Sequence, residues 1–144
     1  MHRTVIAAMG MAFVMAFVVG CGLPVPRAAA DNPVCGQGFC SFLSPSRNIG
    51  CEMDYGRGNG ISDHTYCQTD SPPQNVSMST DGSFKTCTGV SCLGNSGQGT
   101  PTLAYGQTAG VGPFNCRSEA SGITCKVTSG RGFTISNAGI TPVG

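Results

Sequence analysis

Eight of the nine cysteines fall between Cys35 and Cys125, and the ninth, Cys21, stands directly after an apolar run. Nothing else in the chain restricts its fold as strongly. An even number of thiols in a short exported chain reads as a disulfide framework, because oxidising compartments favour the bond and small cores need it. A zinc finger or ribbon wants paired short spacings such as C-x-x-C. Here Cys35 to Cys40 and Cys87 to Cys92 each enclose four residues, and His64 is the only histidine beyond the N-terminal run. We therefore read Cys35, Cys40, Cys51, Cys67, Cys87, Cys92, Cys116 and Cys125 as four disulfides. We expect no metal ligands and no cofactor.

The N-terminus supplies the compartment. His2 and Arg3 precede an uncharged run from Val5 to Val19, the layout of a signal peptide. The run is too short to cross a hydrocarbon core of ~30 Å comfortably. Two processing sites compete. Val18-Val19-Gly20-Cys21 resembles a bacterial lipobox, which makes residues 1–20 the signal and Cys21 the lipidated N-terminus. Ala28-Ala29-Ala30 is a small-residue cleavage site, which extends the signal to 1–30. Residues 21–34 are then a tether or a cleaved region, and 35–144 form one domain. Either route leaves an exported protein, on the outer face of the membrane or secreted.

Composition points to a loop-rich β protein: 22 glycines, 9 prolines, no tryptophan, and only 10% charged residues. After cleavage before Asp31, six Lys and Arg remain against seven acids, so no basic surface invites nucleic acid. We expect a monomer whose membrane contact is limited to the lipid.

Strand periodicity is clearest over Asn48 to Tyr55, where Ile49, Cys51, Met53 and Tyr55 alternate with polar residues or glycine. It recurs over Gly122 to Thr128, with Ile123, Cys125 and Val127 on one face. A shift of 74 residues lays 44–62 on 118–136 with eight identities in nineteen, Ile49/Ile123, Cys51/Cys125 and Arg57/Arg131 among them. The reading is a strand, a Gly-Arg-Gly turn and a second strand, used twice. Asp81-Gly82 predicts a two-residue hairpin turn, and Thr102 to Tyr105 a strand after a polar loop. With roughly seven to nine short strands, the fold class is all-β, a small disulfide-rich sandwich or barrel of antiparallel strands with an internal hairpin repeat.

Pairing stays open at this point. Hairpin geometry favours Cys51 with Cys67 and Cys116 with Cys125, leaving Cys87 with Cys92 and Cys35 with Cys40. The repeat offers a rival, Cys40 with Cys51 and Cys35 with Cys67.

Chemistry-bearing residues are sparse. Asp63-His64 with Ser46 or Ser62 has the residue types of a hydrolytic triad, but many serines and one histidine make such a trio an expected coincidence. Glu52 and Asp54 share the polar face of one predicted strand, a spacing that glycoside chemistry uses, and read better as a solvated face. Gly56 to Gly60 lacks the Lys-Ser/Thr and the helix of a phosphate loop. No residue is assigned a catalytic role. Arg57 and Arg131, at equivalent turns of the repeat, are the anion-binding candidates.

On Phe42 to Cys51 (FLSPSRNIGC), Pro101 to Gly106 (PTLAYG), Gly112 to Cys125 (GPFNCRSEASGITC) and Gly130 to Ser136 (GRGFTIS), the chain resembles a family of small secreted actinobacterial proteins with no assigned biochemical function. The chain departs from that pattern at Arg131, where relatives often carry His, in the tryptophan-free middle segment, and at Cys35 and Cys40, which look like additions. The resemblance implies export, a compact β domain and disulfides, and supplies no catalytic residues. The expected function is a non-enzymatic module that binds an envelope component or a protein partner. A secreted hydrolase inhibitor and a hydrolytic enzyme using His64 are the alternatives.

Overall fold

Alternation of inward apolar and outward polar residues sets up strands throughout residues 34–95 and 99–144, which the computed structural model describes. Among them are β1 (Cys35–Gly36), β2 (Phe39–Leu43), β3 (Ile49–Asp54), β4 (His64–Thr69), β5 (Gln74–Met78) and β6 (Phe84–Thr88). A short 3-10 turn, Val90–Cys92, follows. Then come β7 (Thr108–Val111), β8 (Phe114–Glu119), β9 (Gly122–Lys126), β10 (Gly132–Ser136) and β11 (Gly139–Val143). Each strand pairs antiparallel with its neighbour in sequence, giving a six-stranded sheet β1 to β6 and a five-stranded sheet β7 to β11. The signal peptide over 1–20 or 1–30, Cys21 and residues 22–33 lie outside the described residues. Val34, which the sequence reading placed in the tether, is buried, and its carbonyl accepts the amide of Ser41 at 2.8 Å. No helix among the described residues is long and apolar enough to cross a membrane.

The sheets bury their inner faces against a common core, and sulfur fills its centre. In the first sheet Phe42, Cys51, Cys67 and Val76 face one another across β2 to β5. In the second, Ala109, Cys116, Cys125 and Phe133 do so across β7 to β10. Cys51 bonds Cys67 and Cys116 bonds Cys125, each within one sheet, with Cα atoms 4.1 and 4.0 Å apart. Facing residues that share no ladder hydrogen bonds sit this close, at about 4.5 Å. Across the interface the Cys67 and Cys125 sulfurs are 3.8 Å apart, and the Cys116 sulfur is 3.6 Å from that of Met53. An edge-to-face pair of Phe84 and Phe133, centroids 5.8 Å apart, extends the core toward β6.

The remaining bonds join Cys35 to Cys40 across β1 and β2, and Cys87 at the end of β6 to Cys92 in the 3-10 turn. The repeat-based rival pairing is therefore not formed. The repeat itself holds for β3 and β9, but its second strand exists only once: 132–136 is β10, whereas 58–62 is loop and β4 starts at His64. Here Ile61 donates its amide to Gly58 and Asp63 accepts that of Gly56, which closes the loop on itself. Where Cys125 has Cys116 before it and Phe133 after it, Cys51 has Phe42 before it and Cys67 after it. The two halves thus use the same central cysteine with the partner on opposite sides.

Three further expectations are corrected. There are eleven strands among the described residues. The Asp81-Gly82 hairpin closes with Ser79 donating to Ser83 at 2.9 Å, so it holds a three-residue loop with Gly82 at φ 81°. Thr102 to Tyr105 forms a single parallel bridge to Leu43 instead of a strand, and buries Leu103. Gly132 shows how tightly the second sheet is built, since a Cβ there would lie 1.9 Å from the Cys125 carbonyl oxygen.

Candidate functional site

Because Cys51 and Met53 point into the core, Gly50 and Glu52 of β3 point out, with Ser41 of β2 and Tyr66 and Gln68 of β4 beside them. These residues floor a cleft of ≈ 160 Å³ on the outer face of the first sheet, with His64 at one end and Gly94, Asn95 and Thr100 along its rim. The rim is braced from below. Asn75 Nδ2 donates to the Cys92 carbonyl, as does the Tyr66 hydroxyl at 3.3 Å. The Gly94 amide in turn donates to Gln68 Oε1 at 2.8 Å, and Gly89 donates to the Pro73 carbonyl at 2.9 Å. The Cys87–Cys92 bond ties the same segment to β6.

Glu52 and His64 are the charged or titratable side chains of polar type that line this cleft beside Tyr66. Partial burial pushes the Glu52 carboxyl up from its ordinary value of 4.5, and the neighbouring Asp54 carboxylate pushes in the same direction. Asp54 was expected on a solvated face, yet it is only 1% exposed. The reason is Arg57, three residues on, which folds back to place Nη1 2.5 Å from Asp54 Oδ1 while its guanidinium lies 4.8 Å over the Phe39 ring. Phe39, Asp54 and His64 face one another across β2, β3 and β4, so the arginine caps that row.

This arrangement gives Arg57, one of the two arginines that the repeat suggested for anion binding, an internal acid as partner while its side chain stays 36% exposed. Arg131 sits in the β9–β10 turn against Gly82, with the Asp81 carboxylate near enough to be stabilised by it. The main cause of the lowered Asp81 pKa is hydrogen bonding from Ser83. The two arginines thus occupy different surroundings.

The triad drawn from sequence is not assembled. His64 Nδ1 is 2.9 Å from the Ser62 carbonyl, which can only accept, so Nδ1 carries the proton and Nε2 is the acceptor of the neutral ring. Asp54 Oδ2 is 4.0 Å from Nδ1, beyond a hydrogen bond. Asp63 accepts from the Gly56 amide at 2.7 Å, and Ser46 pairs with Ser44 in the β2–β3 turn, at the other end of β3. What the sequence reading missed is Ser41, Tyr66, Gln68 and Asn75, polar residues on the outer faces of β2, β4 and β5. Only their outward parity signalled them. The sulfurs of Cys51, Cys67 and Cys125 lie within 4.8 Å of one another, a metal-like grouping, but all three are held in disulfides and present no thiolate.

Comparison with protein-family models, with curated proteins and with solved structures returned no match. The disulfides themselves suggest an exported or extracellular protein.

Two outcomes follow for the charged groups. Arg57→Ala strands the buried Asp54 charge and is expected to cost about 2–3 kcal/mol, below the usual figure for a buried pair because the Arg57 side chain is 36% exposed. Arg131→Ala should stay within about 0.5 kcal/mol, and equal losses in urea melts would contradict this placement. Glu52 has a raised pKa in the folded state, so it favours folding where it is protonated and loses that contribution as pH rises through the raised value. Glu52→Gln is therefore expected to gain stability relative to wild type between about pH 4 and about pH 7, read as the change in the difference between their urea midpoints.

Proposed function

We propose that the protein is an exported binding module of the cell envelope that holds its ligand, without turnover, in the cleft on the outer face of the first sheet. One observation carries the reading: the cleft combines a rigid sheet floor with a rim fixed by a disulfide, by hydrogen bonds from Tyr66 and Asn75, and by the Gly94 amide donating to Gln68. Such preorganisation lowers the ordering cost of binding. With Arg57 committed to Asp54 and Glu52 facing the cleft, the ligand is a neutral, hydroxyl-rich envelope component rather than an anion. Backbone groups, Ser41, Asn95 and the ring of Tyr66 suit a sugar-like surface. Export runs through the signal peptide, with Cys21 as the lipid attachment point or Ala30 as the last residue removed. The resemblance to small secreted actinobacterial proteins supports the same compartment.

A second reading rests on a specific feature. Ser41, Glu52 and His64 line the same cleft, the residue types of a hydrolytic site. No hydrogen bond joins them, which favours binding over turnover.

Titration of the labelled protein with neutral envelope saccharides is expected to move the amide resonances of Gly50, Glu52, Tyr66 and Gly94 together, with no product formed. Shifts confined to other surfaces would overturn the assignment. Turnover abolished by His64→Ala in a folded variant would establish the hydrolytic reading instead.

A further inference from the structure

We propose that Cys87–Cys92 is a reducible disulfide that switches the cleft between a braced and an open rim. The inference rests on the cleft being the binding surface, and its chemistry is that of a thiol–disulfide exchange site. Three observations lead to it. The first is access. Exchange needs a thiolate to reach a disulfide sulfur. Cys40, Cys51, Cys67, Cys116 and Cys125 are at most 3% exposed, so each of the other three bonds has at least one buried cysteine. Cys87 is exposed and Cys92 half-buried, making theirs the one bond with neither residue in the core.

The second is what the bond holds. The segment Gly89 to Asn95 buries no residue of its 3-10 turn, and Val90 is 77% exposed. No fully buried apolar side chain anchors that turn, and Cys92 and Leu93 are only half-buried. Besides the disulfide, its attachments are the hydrogen bonds from Asn75, Tyr66 and Gly89, and those of Gly94 to Gln68 and Tyr66. Each contributes only about 0.5–1.5 kcal/mol. The third is position, because the same segment supplies Gly94 and Asn95 to the rim of the cleft.

The reductant is a dithiol. Its first thiolate attacks the exposed Cys87 sulfur and displaces the Cys92 thiolate, forming a mixed disulfide. Its second thiolate then attacks its own sulfur in that bond and releases Cys87. Two electrons pass to the protein, Cys87 and Cys92 each end with a proton, and the dithiol leaves as a disulfide. The core bonds are untouched, so the sheets keep their register while the rim is released.

The experiment is graded reduction of the folded protein with dithiothreitol, rapid alkylation and peptide mass spectrometry, followed by amide exchange on the partly reduced species. Cys87 and Cys92 are expected to be alkylated first. Exchange at Cys92, Leu93 and Gly94 should then accelerate about tenfold or more, the scale expected for removing so short a cross-link. Amides of β3 and β9 should not change. Earlier reduction of Cys35–Cys40 or of a core pair would overturn the proposal, and so would unchanged exchange at the rim after reduction. The double variant Cys87→Ser, Cys92→Ser supplies the same readout without reductant. A cleft that takes up no saccharide in either redox state, with the rim still opening, would sink the binding assignment and leave the switch standing.

Discussion

The contact on which the molecule depends is the 3.8 Å approach of the Cys67 and Cys125 sulfurs, where two disulfides from different sheets meet in the core. A domain of this size has little apolar volume to spare, and this chain has no tryptophan to fill it. Sulfur takes that place. Each bond joins facing residues of neighbouring strands, so it also fixes register: a one-residue slip would turn a cysteine out of the core and break the bond. Since each cross-link contributes about 2–4 kcal/mol, the two central bonds secure the β3–β4 pairing in one sheet and the β8–β9 pairing in the other.

Fixing the inner face fixes the outer one. Cys51 and Met53 inward means Gly50 and Glu52 outward, and Cys67 inward means Tyr66 and Gln68 outward. The cleft is in this sense a consequence of the sulfur core, built on strands that cannot slide. Its rim is different in kind, being tethered by one accessible bond and a few hydrogen bonds, with no fully buried residue in its 3-10 turn. A rigid floor beside a releasable wall is what the proposed binding role and its proposed switch would both rest on.

Much of this architecture was legible in the sequence, for identifiable reasons. Alternation around Cys51 and Cys125 marked β3 and β9, and hairpin geometry marked the partners Cys67 and Cys116, because strand parity and turn length are local properties. The second half of the repeat was not, because identity between 58–62 and 132–136 says nothing about the hydrogen bond from Gly56 to Asp63 that closes the first copy into a loop. Asp54 was misjudged for a similar reason: parity put it outward correctly, but its burial depends on Arg57 folding back over Phe39 and the carboxylate. The cleft was invisible, since its wall comes from residues more than twenty positions away in sequence from Tyr66 and Gln68.

The most direct test of the sulfur core is peptide mapping of the unreduced protein, digested at low pH to suppress exchange. The account requires one linked pair containing Cys51 and Cys67 and another containing Cys116 and Cys125, with no link between the sheets. A Cys40–Cys51 link would restore the pairing that the repeat suggested, and a Cys67–Cys125 link would mean that the two sheets are stapled together. Either would contradict the core described above.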